Sequence, residues 1–183
     1  LNPHFMFNAM NSIRALVDED PEQSKKAITQ LSNVLRNALI HSKKNLITLK
    51  EEMNLVDDYL SLEKIRFEER LTIEKGISEM SLGCKIPPLL LQTIVENAIK
   101  HGIAKLMNGG VVKIDIHNTL NVLTLKVTNT GKFIEGNISG TGVGIENTQK
   151  RLSLEYGDKA NFLIQNNNGE VETIVTIPLT KQG

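Results

Sequence analysis

The apolar residues of this chain change their period near residue 70, and that switch constrains its fold more than any other feature. Up to that point they recur at helical spacing. Phe5, Ala9, Ile13 and Leu16 form one series, and Ile28, Leu31, Leu35 and Leu39 form a second beyond Asp20-Pro21, which reads as a kink or a short break. Asn2-Pro3 resembles an N-cap with proline at the first helical position. Thr48 with Glu51 makes a capping box, and Leu49, Met53, Val56 and Leu60 carry another helix through Ile65 towards Arg70. These helices form a hairpin around the polar turn at His41-Ser42-Lys43-Lys44-Asn45. Two such helices cannot enclose a core alone, so a self-association seam is expected along Leu31, Leu35, Leu39, Met53, Val56 and Leu60.

Beyond residue 70 the pattern alternates. Leu71–Ile77 reads as a strand, Val111–His117 and Val122–Asn129 as a hairpin, and Asn161–Gln165 with Glu172–Ile177 as a closing hairpin. Between them, the apolar run from Pro87-Pro88 to Ile103 is too long for a strand and reads as a mostly buried helix. Residues 130–144 are glycine-rich, and Gly144–Tyr156 reads as a helix. The expected class is α+β, an open sheet with helices on one face, divided into a helical part at 1–68 and a mixed part at 69–183.

Composition removes several functions. Lys and Arg number 21, Asp and Glu also 21, and aromatic residues make up only 4%, so the basic field and stacking platforms of a nucleic-acid binder are lacking. Cys84 is the only cysteine, which rules out an intrachain disulfide and a cysteine metal cluster. No run approaches the ~18 apolar residues of a membrane span, and no signal peptide is visible. The opening on Leu1 suggests a piece of a longer protein.

Four features carry chemistry. Glu96, Asn97, Lys100 and His101 lie in two i, i+4 stripes of an apolar helix. That spacing fits a polar stripe facing water, or an amide and a carboxylate serving a magnesium ion otherwise held by phosphates and waters. Gly140-Thr141-Gly142-Val143-Gly144 is followed by no Gly-Lys-Ser/Thr, so it is no Walker loop. It is either plain loop punctuation or a backbone cradle for an anion at a helix start. Asn129-Thr130-Gly131 reads as a turn at the end of a strand. His4, near a helix start that disfavours its cation, is either structural or a nucleophile.

Taken together these residues resemble the sensor histidine kinases of the LytS/YehU type. Leu1-Asn2-Pro3-His4-Phe5-Met6-Phe7-Asn8 resembles that group's phosphoacceptor box, which commonly reads LNPHFLFN. Leu89–Gln92 through Val95–Gly102 is similar to its N box, and Gly140–Asn147 with Arg151-Leu152 to its G2 box. Leu62–Phe67 also matches a segment common in the group. The resemblance implies a dimerisation and phosphotransfer hairpin followed by a GHKL-type (Bergerat) ATP-binding domain. It implies that His4 accepts the γ-phosphoryl group of ATP and passes it to an aspartate on a response regulator of the DNA-binding LytTR type, without direct contact to nucleic acid. It further implies Mg²⁺ on Asn97, with Glu96, Lys100 and His101 around the phosphates and Gly140, Thr141, Gly142 and Gly144 cradling them under a mobile lid. Asn129 and Gly131 would then face the adenine. The full-length protein would be a homodimer, its kinase core on the cytoplasmic side of a bacterial inner membrane.

Two departures stand out. The family's G1 box usually reads Asp-x-Gly-x-Gly, whereas here Asn129 replaces the acid and Phe133 the second glycine. An amide oxygen still accepts an adenine hydrogen bond, without the strength that charge adds. His4 is followed by Phe5 rather than an acid, so its base is unassigned, and Asn8 at i+4 is placed to orient the ring. The reading is an ATP-dependent protein-histidine kinase. The alternative is an ATP-binding pseudokinase scaffold that docks a regulator without phosphotransfer. A third reading, an anti-sigma-type serine kinase of the same fold, is opposed by the hairpin with His4.

Overall fold

A computed structural model describes residues 3–133 and 138–179, the side chains of 138–143 excepted. Asn2 at the expected N-cap, residues 134–137 of the expected lid between Gly131 and Gly140, and the side-chain surroundings of Gly140, Thr141 and Gly142 therefore lie outside the described residues.

The helical third holds three helices: α1 (Pro3–Glu19), α2 (Pro21–His41) and α3 (Leu49–Phe67). Asp20-Pro21 is a full break. Pro21 removes an N–H and fixes its own φ, while the Asp20 carboxylate accepts from Gln23 N at 3.0 Å and starts a new helix. The chain reverses there. Ser24 Oγ donates to Ile13 O at 3.3 Å, whereas eleven residues of continuous helix would hold them about 16 Å apart. α1 thus lies back on α2 and α3, with Phe5 against Tyr59 at 4.7 Å between ring centroids. This changes the expected seam. Leu31, Met53, Val56 and Leu60 are buried within the chain and Leu35 is partly buried, so of those six only Leu39 stays exposed. The apolar surface left over is different: Phe7, Met10 and Val17 on α1, with Ile28, Leu39 and Ile40 on α2.

The sheet is five-stranded, in the order β2 (Leu71–Ile77), β4 (Gly110–Asn118), β5 (Val122–Thr130), β7 (Glu170–Pro178), β6 (Asn161–Asn167). Both expected hairpins form, with β6 and β7 joined through Asn168 and Gly169, whose positive φ of 50° and 85° suit a tight hairpin turn. β2 pairs with β4 in parallel, and the connection between them carries α4 (Leu90–Asn97) across one face. Alternation decides which face: Val112, Ile114, Ile116, Leu123, Leu125, Val127, Val175 and Ile177 are buried, whereas Lys113, Asp115 and His117 lie on the other side. α4 and α5 (Ile138–Tyr156) supply Leu91, Ile94, Val95, Ile145 and Leu152 to the same core. α5 begins before the point expected from sequence, at Ile138 rather than Gly144, so Gly140, Gly142 and Gly144 have helical backbone instead of forming a loop ahead of the helix. Glycine weakens a helix interior without forbidding it.

A two-stranded ribbon of β1 (Ile47–Thr48) and β3 (Lys85–Ile86) ties the helical part to the segment that feeds α4. Among the described residues no helix is long and apolar enough to cross a membrane.

Candidate functional site

α4 is shorter than the apolar run that encodes it. Its α-helical ladder ends at Asn97, and Ala98–Gly102 form a π turn before a 3₁₀ turn at Ile103–Lys105. Single π turns are common where a site must be shaped. The wider turn disturbs the two i, i+4 stripes read from the sequence. Asn97 Nδ2 donates back to Thr93 O at 2.7 Å, which leaves the amide oxygen as the group available to a cation. Glu96 accepts from Gln92 Nε2 at 3.1 Å. Lys100 is exposed, while His101 is half-buried in the π turn with a buried Nε2 that has no hydrogen-bond partner among the described residues. Burial, then the charges of Lys100 and Lys105, push the His101 pKa down, so the ring is held neutral.

The end of β5 meets this turn. Asn129 is buried, its Nδ2 donating to Thr130 O at 3.0 Å. Gly102 lies so close that a Cβ there would stand 3.0 Å from Asn129 Cγ and 3.1 Å from Thr130 O. Gly131 follows at φ 135°, a conformation suited to glycine, and a Cβ on it would be 3.6 Å from Gly102 Cα. A Cβ on Gly144 would touch Thr93 Cγ2 at 3.3 Å, so α5 packs onto α4 at a glycine. The structure therefore brings Asn129 and Gly131 against the π turn that carries His101 and follows Glu96 and Asn97, while Gly144 packs on α4 one turn earlier, at Thr93. Among the described residues no group of three His, Cys, Asp or Glu could hold a metal ion. The donor set suits a cation that arrives with its own phosphate oxygens and needs only an amide oxygen from the protein. The unpartnered His101 Nε2 is likewise suited to a polar ligand.

His4 is elsewhere, on the exposed first turn of α1, its Nδ1 3.0 Å from Asn8 Nδ2, as the i, i+4 spacing anticipated.

Other polar groups of the site's frame belong to none of the motifs. Glu52 is fully buried and accepts from Leu89 N at 2.9 Å and Gln92 N at 3.0 Å, the first turn of α4. Burial pushes its pKa up to about 7 against the pull of those N–H groups and of Arg151. Glu63 is buried beside Arg66 at 3.3 Å, and burial also raises its pKa, with the charge of Glu96 adding to the rise. A signal was present: Glu52 stands at i+3 in the apolar series Leu49, Met53, Val56, and Glu63 at i+3 from Leu60, where a solvated acid has no place.

The family model described as histidine kinase matches residues 1–71. The chain is 38% identical over 172 residues to the sensor protein LytS of Staphylococcus haemolyticus, covering 87% of this chain and 30% of that one. It spans about a third of the length of the relatives it matches. Among solved structures, the histidine kinase domain of the blue-light activated kinase EL346 from Erythrobacter litoralis has a TM-score of 0.59 at 16% identity, over 98% of this chain and 94% of that one. The histidine kinase ThkA, solved in complex with the response regulator protein TrrA, has a TM-score of 0.54 at 18% identity, over 97% and 59%. With its three motifs in order and its α+β fold shared with these kinase domains, the chain belongs to the histidine kinase family, in the group of the LytS-type sensor proteins.

Proposed function

We propose that this chain is the kinase core of a two-component sensor: it takes the γ-phosphoryl group of Mg²⁺–ATP onto His4 and hands it to an aspartate of a response regulator. The observation that carries the reading is the meeting of Asn129, Gly102 and the polar end of α4, with an unpartnered His101 Nε2 beside them. Asn97 would hold Mg²⁺ through its amide oxygen, and the metal would supply charge neutralisation on the phosphates. Glu96 and Lys100 would lie beside the phosphates, with Gly140, Thr141, Gly142 and Gly144 along their far side. Asn129 would accept from the adenine amino group beside Gly131.

The chemistry at His4 is orientation. Asn8 engages Nδ1, and the amide turned to accept from Nδ1–H would leave the lone pair on Nε2 as the nucleophile. Residues 1–68 would serve dimerisation and phosphate acceptance, and 69–183 ATP binding. The exposed Phe7, Met10, Val17 and Ile28 support a homodimer. The regulator complex of the ThkA neighbour supports a regulator partner, which we take to be of the LytTR type. As the resemblance implies, we take the core to face the cytoplasm at a bacterial inner membrane.

Asn129 in place of the usual acid favours a second reading, an ATP-binding scaffold without phosphotransfer. Incubation with γ-labelled ATP separates the two. The kinase reading expects an acid-labile, base-stable label that vanishes in His4→Gln while ATP affinity stays within about twofold, under ~0.5 kcal/mol. Nucleotide binding without label, on a chain extended upstream of Leu1, would favour the scaffold.

A further inference from the structure

The N-terminus of α4 has no cap of its own. Leu89, the residue before it, sits at φ 61°, and no side chain of its own neighbourhood reaches the first-turn N–H groups. An α-helix leaves four N–H groups without partners at this end, and buried ones need acceptors. Here the acceptor comes from another helix, some forty residues away in sequence. Glu52 Oε2 takes Leu89 N at 2.9 Å, and Oε1 takes Gln92 N at 3.0 Å. The support is reciprocal: Leu49 N and Lys50 N, in the first turn of α3, donate to Cys84 O at 2.8 Å and Leu82 O at 3.0 Å, on the segment leading into α4. Each helix start thus finds acceptors on the other's chain, beside the local Thr48–Glu51 box of α3, and the β1–β3 ribbon closes the joint.

From this joint a short path runs to the nucleotide end of α4. Gln92 gives its backbone N–H to Glu52 and its side-chain Nε2 to Glu96 Oε1 at 3.1 Å, with its own Oε1 buried and without a partner among the described residues. Asn97 is five residues beyond Gln92, about 7 Å along the axis. Thr93, between them, is the residue that Gly144 of α5 packs against. We infer that Glu52 is a positioning residue of the kinase site: held in α3, it fixes α4 at its start and so places Glu96 and Asn97 for Mg²⁺–ATP. This rests on the nucleotide reading proposed above. It makes α3 part of the frame of the nucleotide site, so that a shift of α3 along its axis moves the site's polar end with it.

The test combines amide hydrogen exchange with Mg²⁺–ATP calorimetry on the whole chain at pH 8, comparing the parent, Glu52→Gln and Ile13→Ala, a core truncation in α1 remote from this joint. In Glu52→Gln the amides of Leu89 and Gln92 should lose at least tenfold of their protection and the Kd for Mg²⁺–ATP should rise at least fivefold. In Ile13→Ala both should stay within twofold of the parent, which a merely structural role for Glu52 does not require. Should Glu52→Gln not fold, Glu52→Asp keeps the charge on a stem one methylene shorter and should show a smaller change in the same two readouts. Protection lost at 89 and 92 with Kd unchanged would overturn the positioning role, as would protection that does not change. A parent that binds no Mg²⁺–ATP overturns the nucleotide reading and this inference with it, whatever the exchange shows. Failure of the inference alone is therefore recognisable as nucleotide binding that ignores Glu52.

Discussion

Gly102→Ala is the sharpest perturbation of the site that substitutes none of the side chains proposed to bind ligand. The added Cβ would stand 3.0 Å from Asn129 Cγ and 3.1 Å from Thr130 O, and closer still to Asn129 Nδ2. Ordinary contact begins at about 3.5 Å, so β5 or the π turn must give by roughly half an ångström or more. Asn129 cannot simply swing aside, because it is buried and its amide is bonded to Thr130 O. Overpacking of this kind costs about 1–3 kcal/mol, and the loss of unfolded-state freedom on replacing glycine offsets about 0.4–1 kcal/mol. At the middle of those ranges the net is about 1.3 kcal/mol. For a chain of this size that lowers the melting temperature by roughly 3–5 °C. The effect on ATP should be larger than on stability, since the shift falls on the residue proposed to read adenine. A displaced acceptor costs about 1–3 kcal/mol, roughly a 5- to 150-fold loss of affinity. Thermal melts and calorimetry, with Gly83→Ala as the control at a position where a Cβ meets nothing within 4 Å, measure both. A Gly102→Ala protein that melts within 1 °C of the parent and binds ATP within twofold would refute the close approach of β5 to the π turn.

Three further outcomes follow from the packing and the charges. Thr48→Ala removes both the acceptor of Glu51 N and the hydroxyl bonded to Glu51 Oε2, and should cost about 1 kcal/mol by denaturant titration; no change would mean the capping box contributes nothing to α3. Phe5→Ala empties a site buried against Tyr59 and costs about 3–5 kcal/mol, so α1 should lift and trypsin should cut after Arg14 faster than in the parent; an Arg14 bond as protected as before would contradict the docking of α1. The pH dependence has two opposed parts. Glu52, raised to about 7, favours the folded state below the ordinary value of 4.5 and loses that contribution as pH rises through 7, so the melting temperature of the parent relative to Glu52→Gln should fall between pH 5 and 8. Glu51 and Glu172, held at about 2 by hydrogen bonds to Thr48 and Lys44 and to Lys126 respectively, contribute above 4.5 and lose it as pH falls towards 2. A parent-minus-variant difference that is flat from pH 5 to 8 would show that Glu52 keeps an ordinary pKa.

The sequence by itself determined what depends on short range. Period 3.6 against period 2 is written into side-chain spacing, so the helical third, the two hairpins and the α+β class were legible. The Thr48–Glu51 box and the Asn8–His4 pair are contacts within four residues, and both formed as spacing required. The three motifs pointed to the residues proposed for the site. What the sequence could not decide was long-range. Asp20-Pro21 allows a kink or a reversal, and only the packing of Phe5 on Tyr59 and of Ile13 near Ser24 shows reversal, which in turn buried Leu31, Met53, Val56 and Leu60. The apolar run to Ile103 gives no sign that the ladder widens at Ala98, because α and π turns bury nearly the same side chains. The parallel register of β2 on β4, the approach of Gly102 to Asn129, and the use of Glu52 as a cap for α4 join residues 27 to 40 positions apart. Such contacts leave no period in the chain, since nothing in local spacing records which distant backbone group a buried carboxylate will meet.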